Sequence, residues 1–168
     1  ILVSFLNYAL IEKTIGNLLT KRLETAEILL AKDIGTDLYR KVIEKRQHEI
    51  TAAIFQEQRK GISKIRYIVV QNIAGEIIAH TYLSDIPPEI FKLKHNFNFD
   101  QTFVITDLLE SSLEVYDVAV PIMEGIIQVG TLHVGIDKKF IQNSVTPLRE
   151  TFTSFLSVAG VVILIGTI

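Results

Sequence analysis

The sequence predicts an α+β domain with two long N-terminal helices, an antiparallel five-stranded sheet and a C-terminal exit helix. Three observations carry this. Apolar residues recur at helical steps through the first third of the chain. Short runs rich in Val, Ile and Tyr follow at hairpin spacing. The clearest of these, Val115–Ile122 and Ile126–Ile136, are joined at Met123-Glu124-Gly125, where glycine supplies the backbone freedom of a tight turn. Strands this closely spaced in sequence favour antiparallel pairing over a doubly wound sheet.

The first helix is read from Ile11, Ile15, Leu19, Leu23, Ala26, Leu30 and Ile34, with Lys13, Lys21, Arg22, Glu24, Glu27 and Lys32 between them. This stripe suits packing on the chain's own sheet, on the same helix of a second subunit, or both. Gly35-Thr36-Asp37 is expected to stop this helix and to cap the next. The second runs from Leu38 to about Arg59, carries Leu38, Val42, Ile43, Ile50, Ala53 and Ile54, and ends at Gly61. Strands Ile65–Gln71 and Glu76–Tyr82 flank the turn Asn72-Ile73-Ala74-Gly75. Pro87-Pro88-Glu89 then opens a short helix, since proline suits a first turn and a carboxylate there suits the helix dipole. Phe97-Asn98-Phe99-Asp100 reads as a loop and Thr102–Thr106 as the third strand. After the closing hairpin, Asp137 caps the last helix, which Thr146-Pro147 restarts or kinks.

Within the closing strand, Ile126, Gln128, Gly130, Leu132, Val134 and Ile136 share one face. Ile127, Val129, Thr131, His133, Gly135 and Asp137 share the other. Both faces are largely apolar, so this hairpin belongs inside a sheet covered on both sides. Gly130 and Gly135 lack a side chain where backbone or ligand comes close.

The 168 residues have room for one ordinary domain with a real core. The mean hydropathy of +0.34 is high, and the excess sits at the two ends, Ile1–Ile11 and Phe155–Ile168. Each run is shorter than the ~20 residues of a membrane span. They read as the truncated inner ends of two transmembrane helices, the alternative being buried terminal helices. The first reading is favoured because Val158–Ile168 is apolar on every side, whereas a soluble helix keeps a polar face. A net charge of −2 gives no nucleic-acid footprint. Cysteine is absent, which excludes disulfides, thiolate metal sites and cysteine nucleophiles.

The run Arg66–His80 resembles the first hairpin of single Cache (PDC) domains, PAS-like extracytoplasmic sensor modules of bacterial receptors. Asp117–Ile122, Gly125 and Val129–Asp137 resemble their closing strands and the lead into the exit helix. The resemblance covers roughly residues 12–145 and implies a three-part organisation. Residues 1–11 end a first transmembrane helix, 12–145 form the sensor domain, and 146–168 form the exit helix and the start of a second span. It further implies a PAS-like sheet that binds a small molecule on the extracytoplasmic side of the cytoplasmic membrane. The terminal helices then pass the signal inward. Ala79-His80-Thr81-Tyr82 and the Pro87-Pro88 helix particularly resemble domains of sensor histidine kinases in two-component systems. Relatives that attach haem use Cys-x-x-Cys-His; this cysteine-free chain departs from that pattern, so no cofactor is expected.

His80, Thr81 and Tyr82 sit together at a strand end, where they can donate hydrogen bonds to a carboxylate or another polar ligand. His133 lies centrally in an apolar strand with Thr131 on its own face, and burying it unpaired costs roughly 1–3 kcal/mol. Tyr67 and Tyr116 offer hydroxyls to the sheet faces, each facing away from its neighbour, Arg66 or Asp117. Lys92, Lys94 and His95 can place positive charge over a bound anion. Each also has an ordinary reading as capping, core or solvated residue, and His48 reads as exposed. The binding candidates are therefore Tyr67, His80, Thr81, Tyr82, Lys92, His95, Tyr116, Thr131 and His133. No metal is expected, because the histidines lack ligand spacing, although folding can bring His80, His95 and His133 together. No nucleophile elbow, phosphate loop or metalloprotease motif is present, so no catalytic residue is expected.

These readings converge on a non-enzymatic sensing module of a membrane-bound histidine kinase, a homodimer through its first helix, taking a small molecule with carboxylates among the candidates. The alternative is a ligand-free dimerising spacer or protein-docking module. A closed pocket lined by His80, Tyr116 and His133 separates the two.

Overall fold

A computed structural model describes residues 21, 25–61, 64–93, 95, 97–98, 100–108, 114–141, 143–144, 146–147 and 154. The chain divides into two compact units, Ala26–Lys138 and a second made of Ile1–Thr25 with Lys139–Ile168. The predicted apolar ends and the early stripe Ile11–Leu23 lie outside the described residues. In the second unit, helical residues occur at 139–141, 143–144 and 146–147, and Ser144 Oγ donates to the Phe140 carbonyl at 2.8 Å.

The first unit is the predicted α+β fold. Helix α1 spans 25–43 and α2 spans Gln47–Lys60. Then follow β1 (Ile65–Asn72), β2 (Ile77–His80), the short α3 (Pro88–Phe91), β3 (Val104–Leu108), β4 (Val115–Glu124) and β5 (Ile127–Asp137). The five strands form one sheet in the order β2-β1-β5-β4-β3, with every described pair antiparallel. This is a PAS-like sheet, with β5 at its centre and its two shortest strands at the edges, where fewer ladder bonds are available.

Local chemistry explains the turns. Asn72 Oδ1 accepts from the backbone N–H groups of Ala74 and Glu76, both at 2.9 Å, and Gly75 adopts a φ of 79° to close β1 onto β2. Strand β4 continues through Met123 and Glu124, so the predicted three-residue junction is a two-residue turn, Gly125-Ile126, with Gly125 at φ 62°. β3 starts two residues later than expected and runs to Leu108, because Leu108 pairs with Val115 at the start of β4.

The predicted stop at Gly35-Thr36-Asp37 is corrected: α1 passes straight through it. Thr36 Oγ1 donates back to the Lys32 carbonyl at 2.9 Å, satisfied within the helix, and Gly35 lies against Val120 and Leu132. The break falls at Glu44–Arg46, where Lys45 takes a φ of 52°. Consequently Leu38 and Val42 belong to α1. Its buried stripe runs Ala31, Ile34, Leu38, Val42, while Ala26 is exposed and Leu30 only half-buried. Glu27, expected among the solvated charges, is buried and accepts from Lys64 Nζ at 3.1 Å.

Directly paired residues share a sheet face. Ile68, Val70, Val118, Val120, Leu132 and Val134 form an apolar face that is fully buried or nearly so. It takes the helices, Gly35 of α1 coming onto Val120 and Leu132. The opposite face holds Tyr67, Val69 and Gln71 of β1, His133 and Gly135 of β5, and Asp117 of β4. The connection from β2 to β3 covers it, with Ile90 and Leu93 packed against Tyr67, Val69 and Val115.

Candidate functional site

Four buried polar side chains meet on the connection-covered face. Gly135 makes room for the first of them: a Cβ there would lie 2.3 Å from the Tyr67 ring. The phenol crosses over Gly135 and donates to Asp117 Oδ1 at 2.7 Å. The other carboxylate oxygen, Oδ2, lies 2.9 Å from His133 Nδ1, and His133 Nε2 lies 3.3 Å from Gln71 Oε1. Gln71 Nε2 in turn donates to the Leu93 carbonyl at 3.0 Å, tying the network to the cover. Tyr67, Asp117 and His133 are fully buried and Gln71 nearly so. Gly130, on the helix-facing side, admits the backbone of the neighbouring strand, since a Cβ there would lie 2.6 Å from the Gln71 carbonyl oxygen and 3.6 Å from Val42. Both predicted close approaches are thus made by the protein itself.

The donor pattern has a consequence. With its nitrogen committed to Leu93, Gln71 presents its carbonyl oxygen to His133, and Asp117 presents a carboxylate oxygen. Both imidazole nitrogens therefore face acceptors, of which a neutral ring with its single N–H serves only one. His95 leans against that ring, centroids 5.5 Å apart. Burial, and secondarily the neighbouring His133, hold His95 below the usual histidine range, partly opposed by Asp117. Burial pushes the Tyr67 phenol far up, reinforced by the Asp117 charge and hydrogen bond. Tyr82, stacked on Tyr67 at 5.4 Å, is raised first by burial, then by Asp117 and Glu89.

The predicted residues separate into three groups. Tyr67, Thr131, His133, Tyr82 and His95 lie on or over the covered face. Thr81 is buried but structural: its hydroxyl oxygen accepts from Ile68 N–H at 2.9 Å, extending the β1–β2 pairing by one residue. Lys92 is exposed at the end of α3, and His48 is exposed as expected. The arrangement that separates sensor from spacer, one closed pocket lined by His80, Tyr116 and His133, is not formed among the described residues. Tyr116 is paired with Ile136 on the helix-facing side, under Lys138 Nζ at 5.0 Å. His80 stands at the edge strand opposite Val69, and His133 is packed inside. Arg66 is also not merely solvated, for it forms an ion pair with Asp137.

Asp117 and Gln71 are the network members that sequence reasoning did not select. A bulge between Ile122 and Met123 shifts the register that starts at the Gly125-Ile126 turn by one residue, placing Ala119 opposite His133 and Asp117 opposite Gly135, one diagonal step from the histidine, a shift that the strand sequences do not announce. Gln71 arrives through the long-range β1–β5 pairing, which no local pattern announces.

Beside the network, a cleft of about 650 Å³ opens between α2, the β2 edge and α3. Phe55, Ile77, Ile86 and Phe91 give it an apolar wall, and His80 and Tyr82 also line it. His80 Nδ1 and Tyr82 Oη are shut off from solvent without a hydrogen-bond partner among the described residues, as is His95 Nε2. Unpaired buried polar atoms are uncommon and costly. Comparison of the chain with protein-family models and with characterised proteins found no match.

Proposed function

We propose that this domain is the extracytoplasmic small-molecule-sensing part of a transmembrane signalling receptor, of the kind that single Cache domains form in two-component histidine kinases. The observation that carries the reading is the asymmetry of the sheet. One face is an apolar floor for the helices. The other carries the buried polar network beside an apolar cluster, is roofed by a connection with little regular structure, and is flanked by an apolar-walled cleft lined by His80 and Tyr82, each with a polar atom unpaired among the described residues. Such a cleft is of ligand size and suits a small molecule with an apolar body and a polar head, a carboxylate included. The apolar runs at the chain ends support membrane attachment. A ligand acts here only through its difference in affinity between two arrangements of roof and sheet, and α1 and the exit helix are the route inward to the cytoplasm.

The ligand-free spacer keeps one specific observation on its side: Tyr67, Asp117, His133 and Gln71 already bond one another. A thermal-shift panel of carboxylates, amino acids, amines and sugars separates the two. A ligand at ~100 times its dissociation constant stabilises by roughly 2.7 kcal/mol. The expected result is a shift with one chemical class, weakened several-fold by His80→Ala and by Tyr82→Phe in folded protein. Silence across the panel overturns sensing of these classes in favour of the spacer.

A further inference from the structure

We propose that His95, Asp117 and His133 form a binding site for one divalent first-row transition ion, for which Zn²⁺ is the probe. One donor atom of each residue lies within 4.8 Å of those of the other two. Asp117 Oδ2 and His133 Nδ1, at 2.9 Å, are already near the separation of two ligands on a tetrahedral ion, roughly 3.3 Å for bonds of about 2.0–2.1 Å. His95 supplies the third ligand after closing by roughly 1.5 Å on the same geometry. It sits in the roof, where positions 93, 95, 97 and 98 carry no regular secondary structure, so the movement strains no helix or strand. Its Nε2 is closed off from solvent and has no hydrogen-bond partner among the described residues.

The surrounding bonds favour an ion on chemical grounds. Both nitrogens of His133 face acceptors, Asp117 Oδ2 and Gln71 Oε1. An ion on Nδ1 bridges to the Asp117 oxygen and leaves Nε2–H to donate to Gln71, so a neutral ring serves both neighbours. Tyr67 holds the far carboxylate oxygen at 2.7 Å. Ring and carboxylate are thus each oriented by a partner outside the coordination sphere, as metal-binding histidines and carboxylates commonly are. Two imidazoles and one carboxylate suit Zn²⁺, Fe²⁺ or Ni²⁺ better than Mg²⁺ or Ca²⁺, which prefer oxygen ligands. Three protein ligands leave a position for water or a small anion. The absence of local ligand spacing in the sequence is no obstacle, because β4, β5 and the roof each contribute one residue. The inference goes beyond the sensing reading, since the ion binds whether or not the domain signals.

The test is calorimetric titration of the full chain, free of any polyhistidine tag, with Zn²⁺, and visible absorption with Co²⁺ as a report on geometry. Replacing Asp117 or His133 endangers the fold, so the roof residue carries the test. One ion per chain is expected, with His95→Ala weakening binding by at least about tenfold and His48→Ala, an exposed control, leaving it unchanged. Circular dichroism verifies that both variants are folded. Absence of saturable binding, or equal affinity in His95→Ala, overturns the site. A small-molecule shift without Zn²⁺ binding removes the ion and leaves the sensing reading standing.

Discussion

The two faces of the sheet solve burial differently. On the helix side, Ile68, Val70, Val120, Leu132 and Val134 are wholly or almost wholly buried and need no partner beyond contact. On the roofed side, Tyr67, Asp117 and His133 are equally buried, yet each depends on a specific neighbour 2.7–2.9 Å away. Non-directional packing tolerates small shifts between helix and sheet. A chain of directed bonds holds one arrangement and gives way when any member leaves. A domain that must respond to something bound gains from having its directed interactions on one side only. Under the proposed sensing reading, the helix face is the stable platform and the polar face carries discrimination.

The sharpest way to break the contrast is to remove one charge from the network. Asp117→Ala leaves Tyr67 and the His133 ring without their acceptor, and breaking a buried pair costs about 3–5 kcal/mol. Leu132→Ala on the opposite face costs about 2–5 kcal/mol through lost burial and the cavity left behind. The sizes overlap, so additivity is the discriminating readout. Denaturant unfolding of Asp117→Ala, His133→Ala and the double variant should show strong non-additivity, the second change adding little once the first is made. Additive costs would mean that the pair contributes as two independent core residues.

A smaller effect, with its own pH signature, comes from Tyr67→Phe. It removes one charge-assisted hydrogen bond, worth about 1.5–3 kcal/mol at neutral pH. In the folded protein the phenol is held protonated well above its unfolded value of about 10. Above that pH the folded state keeps a proton that the unfolded chain releases, so this contribution is lost as pH rises. The stability gap between wild type and Tyr67→Phe should therefore close by about 1.4 kcal/mol per pH unit beyond pH ~10. Urea midpoints across that range, with tyrosinate absorbance as the titration signal, check it. A gap independent of pH would place the Tyr67 hydroxyl outside the network.

Much of this contrast was legible beforehand. The period-two alternation in Ile127–Asp137 separated Leu132 and Val134 from His133 and Gly135 without any structure. The two glycines marked where Tyr67 and the Gln71 backbone come close. Other features depend on information the local pattern lacks. Tyr116 and Asp117 were seen to point apart, but only the sheet order decides which of them meets His133. A strand's two faces look alike when both are apolar. The helix break was misplaced because Gly35-Thr36-Asp37 has the composition of a stop, and the tertiary contact that keeps it helical lies about a hundred residues away in Leu132.

That misplaced stop yields the subtlest test of the apolar face. Glycine inside a helix costs roughly 0.5–1 kcal/mol relative to alanine, through the backbone freedom lost on folding. It is tolerated where a side chain would collide with the neighbouring element, and Gly35 lies directly against the sheet. Yet a Cβ built there would stand 3.7 Å from Val120 Cγ2 and 4.0 Å from Leu132 Cδ2, ordinary van der Waals distances. Gly35→Ala should consequently fit without moving the sheet and raise stability by about 0.5–1 kcal/mol, seen as a higher denaturation midpoint at unchanged slope. On the roofed face the same change at Gly135 drives a methyl into the Tyr67 ring, so it should destabilise. Opposite signs for one substitution on the two faces follow from contact packing on one side and a fixed bond network on the other. A loss at Gly35 would instead mean that α1 sits closer to the sheet than these distances allow.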